Sequence, residues 1–169
     1  KQNNRSNTTL MMSVRRSYLQ FVFALVGLPI RPDYWDYQWK IDHKFDKYNS
    51  LSFIGLGSID DFSVVAPEDF DVEQQSTIEQ VPIIQQKTRT LGLSWNRNFK
   101  NGKGRIRTVL SSNKLQNLFS RFSDNEKKKG ILFENDSQEI ETKLRVKVIR
   151  FPNKWKFSYG LNFQNSTYK

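Results

Sequence analysis

Trp35-Asp36-Tyr37-Gln38-Trp39-Lys40-Ile41-Asp42-His43-Lys44-Phe45 decides the fold of this chain. Its odd positions carry Trp, Tyr, Trp, Ile, His and Phe, whereas its even positions carry Asp, Gln, Lys, Asp and Lys. Side chains on a β-strand point alternately to opposite faces, so this period of two describes a strand with one aromatic face and one charged face. The pattern returns in Ile140, Thr142, Leu144, Val146 and Val148 against Glu141, Lys143, Arg145 and Lys147. It returns again in Trp155, Phe157, Tyr159, Leu161 and Phe163 against Lys156, Ser158, Gly160, Asn162 and Gln164.

Alternation alone leaves open whether the apolar face meets a protein core, as in a soluble sandwich, or a bilayer. Length separates the two. Soluble strands usually run about 5 to 6 residues, whereas an outer-membrane strand takes about 9 to 11 residues at a tilt. Each of the three runs spans at least nine residues. Their polar faces are rich in Asn, Gln, Ser, Lys and Arg, the composition of a wall that borders a hydrated lumen. The longest apolar run, Phe21 to Ile30, contains Gly27 and Pro29 and falls short of the roughly 18 residues of a spanning helix. A closed barrel is then the only way this chain would cross a bilayer.

The 169 residues read as one unit, with no internal repeat beyond the hairpin period and no low-complexity linker. Hydrophobic residues make up 37% of the chain while aromatic residues reach 14%, a balance that suits one-sided aromatic strands better than a thick aliphatic interior. The absence of cysteine excludes disulfides, thiolate-bound zinc and thiol nucleophiles. A net charge of +10 permits nucleic acid, anionic headgroups or acidic ligands as partners. The chain begins at Lys1 without Met and without a signal-peptide pattern, and reads as a mature or internal segment.

Strand and turn signals predict an all-β, antiparallel up-and-down meander of about seven long strands, a partial transmembrane β-barrel. The strands are predicted at Leu10 to Leu19, Tyr34 to Phe45, Leu51 to Ile59, Thr88 to Phe99, Arg105 to Leu115, Glu139 to Phe151 and Trp155 to Asn165. Short turns at Asp46 to Ser50, Asn101 to Lys103 and Pro152 to Lys154 take turns with long polar loops at Phe21 to Asp33, Asp60 to Lys87 and Gln116 to Gln138. Asn101-Gly102 supplies the residues a tight hairpin with positive φ demands. Segregated short and long connections belong to outer-membrane barrels, whose periplasmic turns are short and external loops long. Shared parity places Trp35, Trp39, Trp95, Trp155 and Tyr159 on the outward, lipid side.

Three phrases then carry a resemblance: Ser13-Val14-Arg15-Arg16-Ser17-Tyr18-Leu19, Leu28-Pro29-Ile30-Arg31-Pro32-Asp33-Tyr34-Trp35-Asp36-Tyr37-Gln38, and Gly55-Leu56-Gly57-Ser58-Ile59-Asp60-Asp61-Phe62. In order and spacing they resemble successive barrel segments of TonB-dependent outer-membrane receptors. Thr90-Leu91-Gly92-Leu93-Ser94-Trp95 and the hairpin after it extend the likeness over nearly the whole chain. The resemblance implies an outer-membrane location and a barrel of about 22 strands closed by an N-terminal plug. It also implies import of a scarce nutrient, such as a ferric siderophore or a glycan, with energy delivered by a periplasmic TonB partner. Residues 1–169 contain no recognisable plug, no TonB-contacting box and no terminal aromatic, so the expectation is a middle slice of the barrel with outer-membrane lipid, the nutrient ligand and, through a plug elsewhere, the TonB complex as partners.

No enzyme and no cofactor is expected. A lone His43 has no second His or Cys to complete a metal site. Asp60, Asp61, Glu68, Asp69, Asp71 and Glu73 share one predicted loop but lack calcium-loop spacing. Gly55-Leu56-Gly57-Ser58 lacks the further glycine and the helix of a phosphate cradle, and no Gly-x-Ser-x-Gly elbow occurs. Lys127-Lys128-Lys129 is predicted at a loop tip. Parity puts Arg105, Arg107, Lys143, Arg145, Lys147 and Lys156 on the polar face, together with Asp36, Gln38 and Lys40. The predicted lumen-facing ligand contacts are therefore Asp36, Gln38, Lys40, Arg105, Arg107, Lys143 and Arg145, which favour anionic solutes. The alternative is a soluble basic β-domain that binds nucleic acid or another polyanion, which would interleave aromatics and cations on one face. Here the two kinds are sorted mostly onto opposite faces, so nucleic acid is not an expected partner.

Overall fold

Seven strands hydrogen-bond in chain order into one antiparallel sheet in the computed structural model, which describes residues 7–65, 78 and 81–169. They are β1 (Thr8–Arg16), β2 (Ile30–Lys44), β3 (Asn49–Val64), β4 (Ile83–Asn98), β5 (Gly104–Asp124), β6 (Lys129–Arg150) and β7 (Phe157–Tyr168), with one short helix α1 (Leu19–Leu25) between β1 and β2. The predicted all-β meander is the fold observed. The sheet does not close on itself, and β1 and β7 are its edges.

Register determines which side chains share a face. Leu10, Ile41, Phe53, Leu93, Leu110, Leu144 and Phe163 are successive cross-strand partners and form one unbroken apolar row from edge to edge. Trp35, Trp39, Trp95 and Tyr159 lie on the same face by the same ladders. The apolar positions do not follow the hydrogen-bonded rows, however. On β2 they run from Trp35 to His43, centred at Trp39, whose row ends on β7 at Asn165. On β7 they run from Phe157 to Phe163, centred at Gly160, whose row leads back to Lys44 on β2. The band therefore drifts by about one residue per strand toward the short turns, the stagger of a tilted barrel wall. A drift of one ~3.3 Å rise per ~4.8 Å strand spacing corresponds to a tilt of about 35°. Nine residues at that tilt, Ile140 to Val148 on β6, span a height of about 24 Å.

The sheet is a single layer. Only Val64, Ile78, Ile83 and Ile149 are buried aliphatic residues among those described, and α1 packs against β2. The accessible surface is 12699 Å², against about 8,700 Å² for a compact globular chain of this mass. On the apolar face Leu110, Phe157, Leu161 and Phe163 are all exposed.

Strand lengths depart from the sequence reading. The chain leaves the sheet at Ser17, whose N–H donates to Tyr34 O (2.8 Å) and whose Oγ accepts from Leu19 N (3.1 Å), so the end of the predicted first strand is the start of α1. Gly27, at φ 74°, then turns the chain toward β2, which begins at Ile30 inside the predicted loop. The predicted long loop at Gln116 to Gln138 is instead strand on both sides of a tight turn, because β5 reaches Asp124 and β6 starts at Lys129. Its residues mix polar with apolar ones, Leu118, Phe119, Phe122 and the run Ile131-Leu132-Phe133 among them, without a period of two, yet the backbone ladder forms all the same. The predicted loop at Asp60 to Lys87 shortens to positions 65–82, and its Glu68, Asp69, Asp71 and Glu73 lie outside the described residues. Asn125 pins that connection: its Nδ2 donates to Ile78 O (2.7 Å) and Val81 O (3.0 Å), while its Oδ1 accepts from Phe122 N (2.9 Å). Trp155 sits in the β6–β7 turn, where strand parity does not place it.

Two details hold the register locally. On β3 the apolar face carries Gly55 and Gly57, and the rings of Trp39 and Tyr37 on β2 lie across them; a Cβ there would meet Trp39 at 2.3 Å and Tyr37 at 2.4 Å. Glycine is used for this close approach, since strand conformation itself does not require it. Gly55→Ala should therefore displace the Trp39 indole and cost about 1–3 kcal/mol, read as a lowered urea midpoint and a shifted tryptophan emission. An unchanged midpoint would refute the packing role.

In the β2–β3 turn, Asp46 accepts from Tyr48 N (2.6 Å), Asn49 N (2.8 Å) and Asn49 Nδ2 (2.8 Å). Its carboxyl is held below the usual carboxylate range, first by the Asn49 side-chain bond and then by the backbone N–H groups. A depressed folded pKa means that the contribution is complete above the ordinary aspartate value and is lost as pH falls through the lower folded one. Protection of the Tyr48 and Asn49 amides, taken relative to their intrinsic exchange rates, should accordingly fall on acidification below about pH 4, and Asp46→Ala should show the low protection already at neutral pH.

Candidate functional site

The opposite face of the sheet gathers the polar chemistry. Asp36, Gln38 and Lys40 on β2, Arg105 and Arg107 on β5, and Lys143 and Arg145 on β6 all point to this face, as parity predicts. The ladders divide them into two groups. Arg107 stands directly across from Lys147, and Lys143 and Arg145 lie beside them on β6, opposite Ser111 and Val109. The β2 group lies two intervening strands away, about 14 Å along the sheet at ~4.8 Å per step.

Those two groups are chemically different. Asp36 accepts from Arg15 Nε at 2.8 Å, and Lys40 Nζ lies 2.7 Å from Asp42 Oδ2, with Asp42 also accepting from Ser52 Oγ at 2.5 Å. The β2 charges are thus engaged with near neighbours. On β5 and β6, by contrast, Arg107, Val109, Ser111, Lys143, Arg145 and Lys147 line an open groove of about 410 Å³. Glu141 pairs with Lys143 at 2.7 Å and also accepts from Gln164 Nε2 at 2.6 Å. Arg107 Nε donates to Ser94 Oγ (3.4 Å) and Arg145 Nε to Asn162 Oδ1 (3.5 Å), both long bonds to neutral oxygens. Four cations therefore face the groove and one carboxylate answers them.

Like charges directly opposite in an antiparallel ladder are destabilising, so Arg107 facing Lys147 is a cost borne by the fold rather than a source of stability. The arrangement is chemically fit for an anion that bridges β5 and β6. Arg105 is on the same face one row further toward the short turn, opposite Ile149. Lys156 lies in the β6–β7 turn and is not brought into the groove. Sequence parity found the cations but not their neutral partners Ser94 and Asn162, which come from flanking strands.

The wet face is less uniform than alternation implied. Met11, Ile54 and Leu56 point to it, and with Ser13, Gln38 and Lys40 they form a mixed apolar and polar hollow near the β1 edge. His43 stays with the apolar face, its Nδ1 2.7 Å from Thr8 Oγ1 and its ring edge-on to Phe45. No group of three His, Cys, Asp or Glu residues suited to a metal ion occurs among the described residues. No described helix is long and apolar enough to cross a membrane. No protein-family model, curated protein or solved structure matches this chain.

Replacing Arg107 and Lys147 together by Gln should weaken binding of citrate, a polyanionic probe, by about fivefold per charge at most without lowering the unfolding midpoint. Titration calorimetry at two salt concentrations would measure it, since screening must weaken the native protein more than the variant. Unchanged citrate affinity would show that the groove is not an anion site.

Proposed function

We propose that this chain is a wall segment of an outer-membrane β-barrel receptor of the TonB-dependent kind. In this reading the apolar face contacts lipid and the cationic face borders the hydrated lumen, where it favours an anionic nutrient. The observation that carries the reading is the drifting apolar band: about 24 Å tall at a tilt of about 35°, it agrees with the roughly 25 Å band and 35–45° strand tilt of such barrels. A soluble sandwich would need a second layer over the aromatic face, and the described residues supply none.

The long strands agree with the same arrangement. β5 and β6 continue for about ten residues past the band on the side away from the short turns, and there no face is consistently apolar, Leu118, Phe119, Phe122 and Ile131 to Phe133 being scattered among polar residues. Strands that leave the hydrocarbon and stand in water need no apolar side. By this reading α1, the 65–82 connection and the β5–β6 hairpin tip face the cell exterior, and the three short turns face the periplasm. The ligand approaches the Arg107–Lys143–Arg145–Lys147 groove from the lumen, with energy supplied through a plug and its TonB partner, as the resemblance implies. The rival soluble domain that binds nucleic acid draws support from the net charge alone, because the cationic groove offers no aromatic stacking platform.

Leu144 belongs to the edge-to-edge apolar row and lies at the centre of the β6 band. Within the complete barrel that this reading requires, refolded into phosphatidylcholine vesicles, Leu144→Arg is expected to cost about 2–4 kcal/mol, read from urea unfolding, whereas Arg145→Leu on the other face costs little. Equal tolerance of both changes, or a monodisperse water-soluble monomer without lipid, would overturn the bilayer assignment.

A further inference from the structure

The apolar face is not apolar to its ends, and where it stops on β4 and β5 it carries a cluster that the receptor reading does not use. Arg89 on β4 stands directly across from Lys114 on β5, and Lys87 follows on the same face two residues beyond Arg89. Lys87 and Arg89 are exposed and Lys114 is half-buried. Their same-face neighbours are Gly57, Ile59, Leu91, Ser112, Gln116 and Ile140, none of them acidic. Of the carboxylates at this border, Asp33 is held by Arg16 at 3.1 Å, and Asp61, diagonal to Lys87, accepts from the neutral Gln85 Nε2 at 3.3 Å, so one carboxylate stands beside three cations. Among the described residues no ion pair joins Lys87, Arg89 or Lys114 to an acid.

Two further features place the cluster at a boundary. Arg16 lies over the Trp35 ring at 5.0 Å, and with the one-residue drift per strand Trp35 on β2 is level with Arg89 on β4. Aromatic rings and cations at one height are the signature of the headgroup layer. The Tyr37 ring and hydroxyl lie over Gly57, whose cross-strand partner is Arg89.

We propose that Lys87, Arg89, Lys114 and the Tyr37 hydroxyl form an outward-facing site for the phosphate monoester of a lipid headgroup, as carried by lipid A. A monoester holds close to two negative charges near neutral pH, which matches three adjacent cations better than the single charge of a phosphodiester. The side agrees as well, because the cluster lies at the band edge remote from the short turns, the leaflet that faces the exterior. This inference rests on the bilayer reading above.

The test refolds the complete barrel that contains this chain into phosphatidylcholine vesicles with and without lipid A, and in a third arm with phosphatidylglycerol. Quenching of tryptophan emission by brominated acyl chains reports insertion, and binding is followed by native mass spectrometry of the detergent-extracted protein. Arg89→Gln combined with Lys114→Gln should weaken lipid A binding about thirty-fold, with quenching intact, while Arg97→Gln near the opposite border leaves it unchanged. Phosphatidylglycerol should bind less tightly than lipid A. Native-like lipid A binding by the double variant, or equal affinity for phosphatidylglycerol, overturns the site while insertion persists. Absence of quenching in the native chain overturns the bilayer reading and the site with it. Should the double variant fail to fold, Lys87→Gln alone must weaken lipid A binding several-fold or the proposal falls.

Discussion

Everything in this sheet depends on an uninterrupted backbone register. Side chains alternate with a period of two, so a slip of one residue in any ladder would send every residue of that strand to the other face. Across the apolar band six successive ladders contain no such slip. The one irregularity, between Arg121 and Phe122, falls on the extended part of β5 beyond the band. There neither face is consistently apolar, and the ladder accommodates Leu132 as an extra residue on β6. Register is strict where one face is oily and relaxed where neither is.

Given that register, the two faces pose opposite energetic problems. The oily face lacks any layer to bury it, and an accessible surface far above that of a compact chain of this mass measures how much is left over. The polar face assembles cations across β5 and β6 that repel one another, and its few carboxylates are taken up by close neighbours. Neither feature stabilises an isolated sheet in water. Lipid against one face and an anionic solute against the other would resolve both, and so the two faces belong to a single functional reading. The glycine pair on β3 fits the same economy of space, for it lets Trp39 and Tyr37 lie flat and keeps the outer surface smooth where large rings would otherwise stand proud.

The sequence by itself determined what a period of two can express. The faces of Trp35 to His43, Ile140 to Val148 and Phe157 to Phe163, the meander order and the short turns were all legible, because each depends on neighbours a few positions apart. The Asn101–Gly102 turn shows the limit of such reading: Gly102 takes positive φ as its identity demands, while Asn101 works through its side chain, accepting from Lys103 N at 3.0 Å. The full length of β5 and β6 was not legible, because Leu118, Phe119, Phe122 and Ile131 to Phe133 fall among polar residues without a period of two, although the backbones still pair. Tertiary structure alone decided which cations meet. Arg107 and Lys147, or Arg89 and Lys114, are far apart in the chain and opposite in space, and pairing between strands is set by ladders that no local pattern encodes. The drift of the apolar band belongs to the same class. It is a relation among strands, and it exists only once their register has placed them side by side.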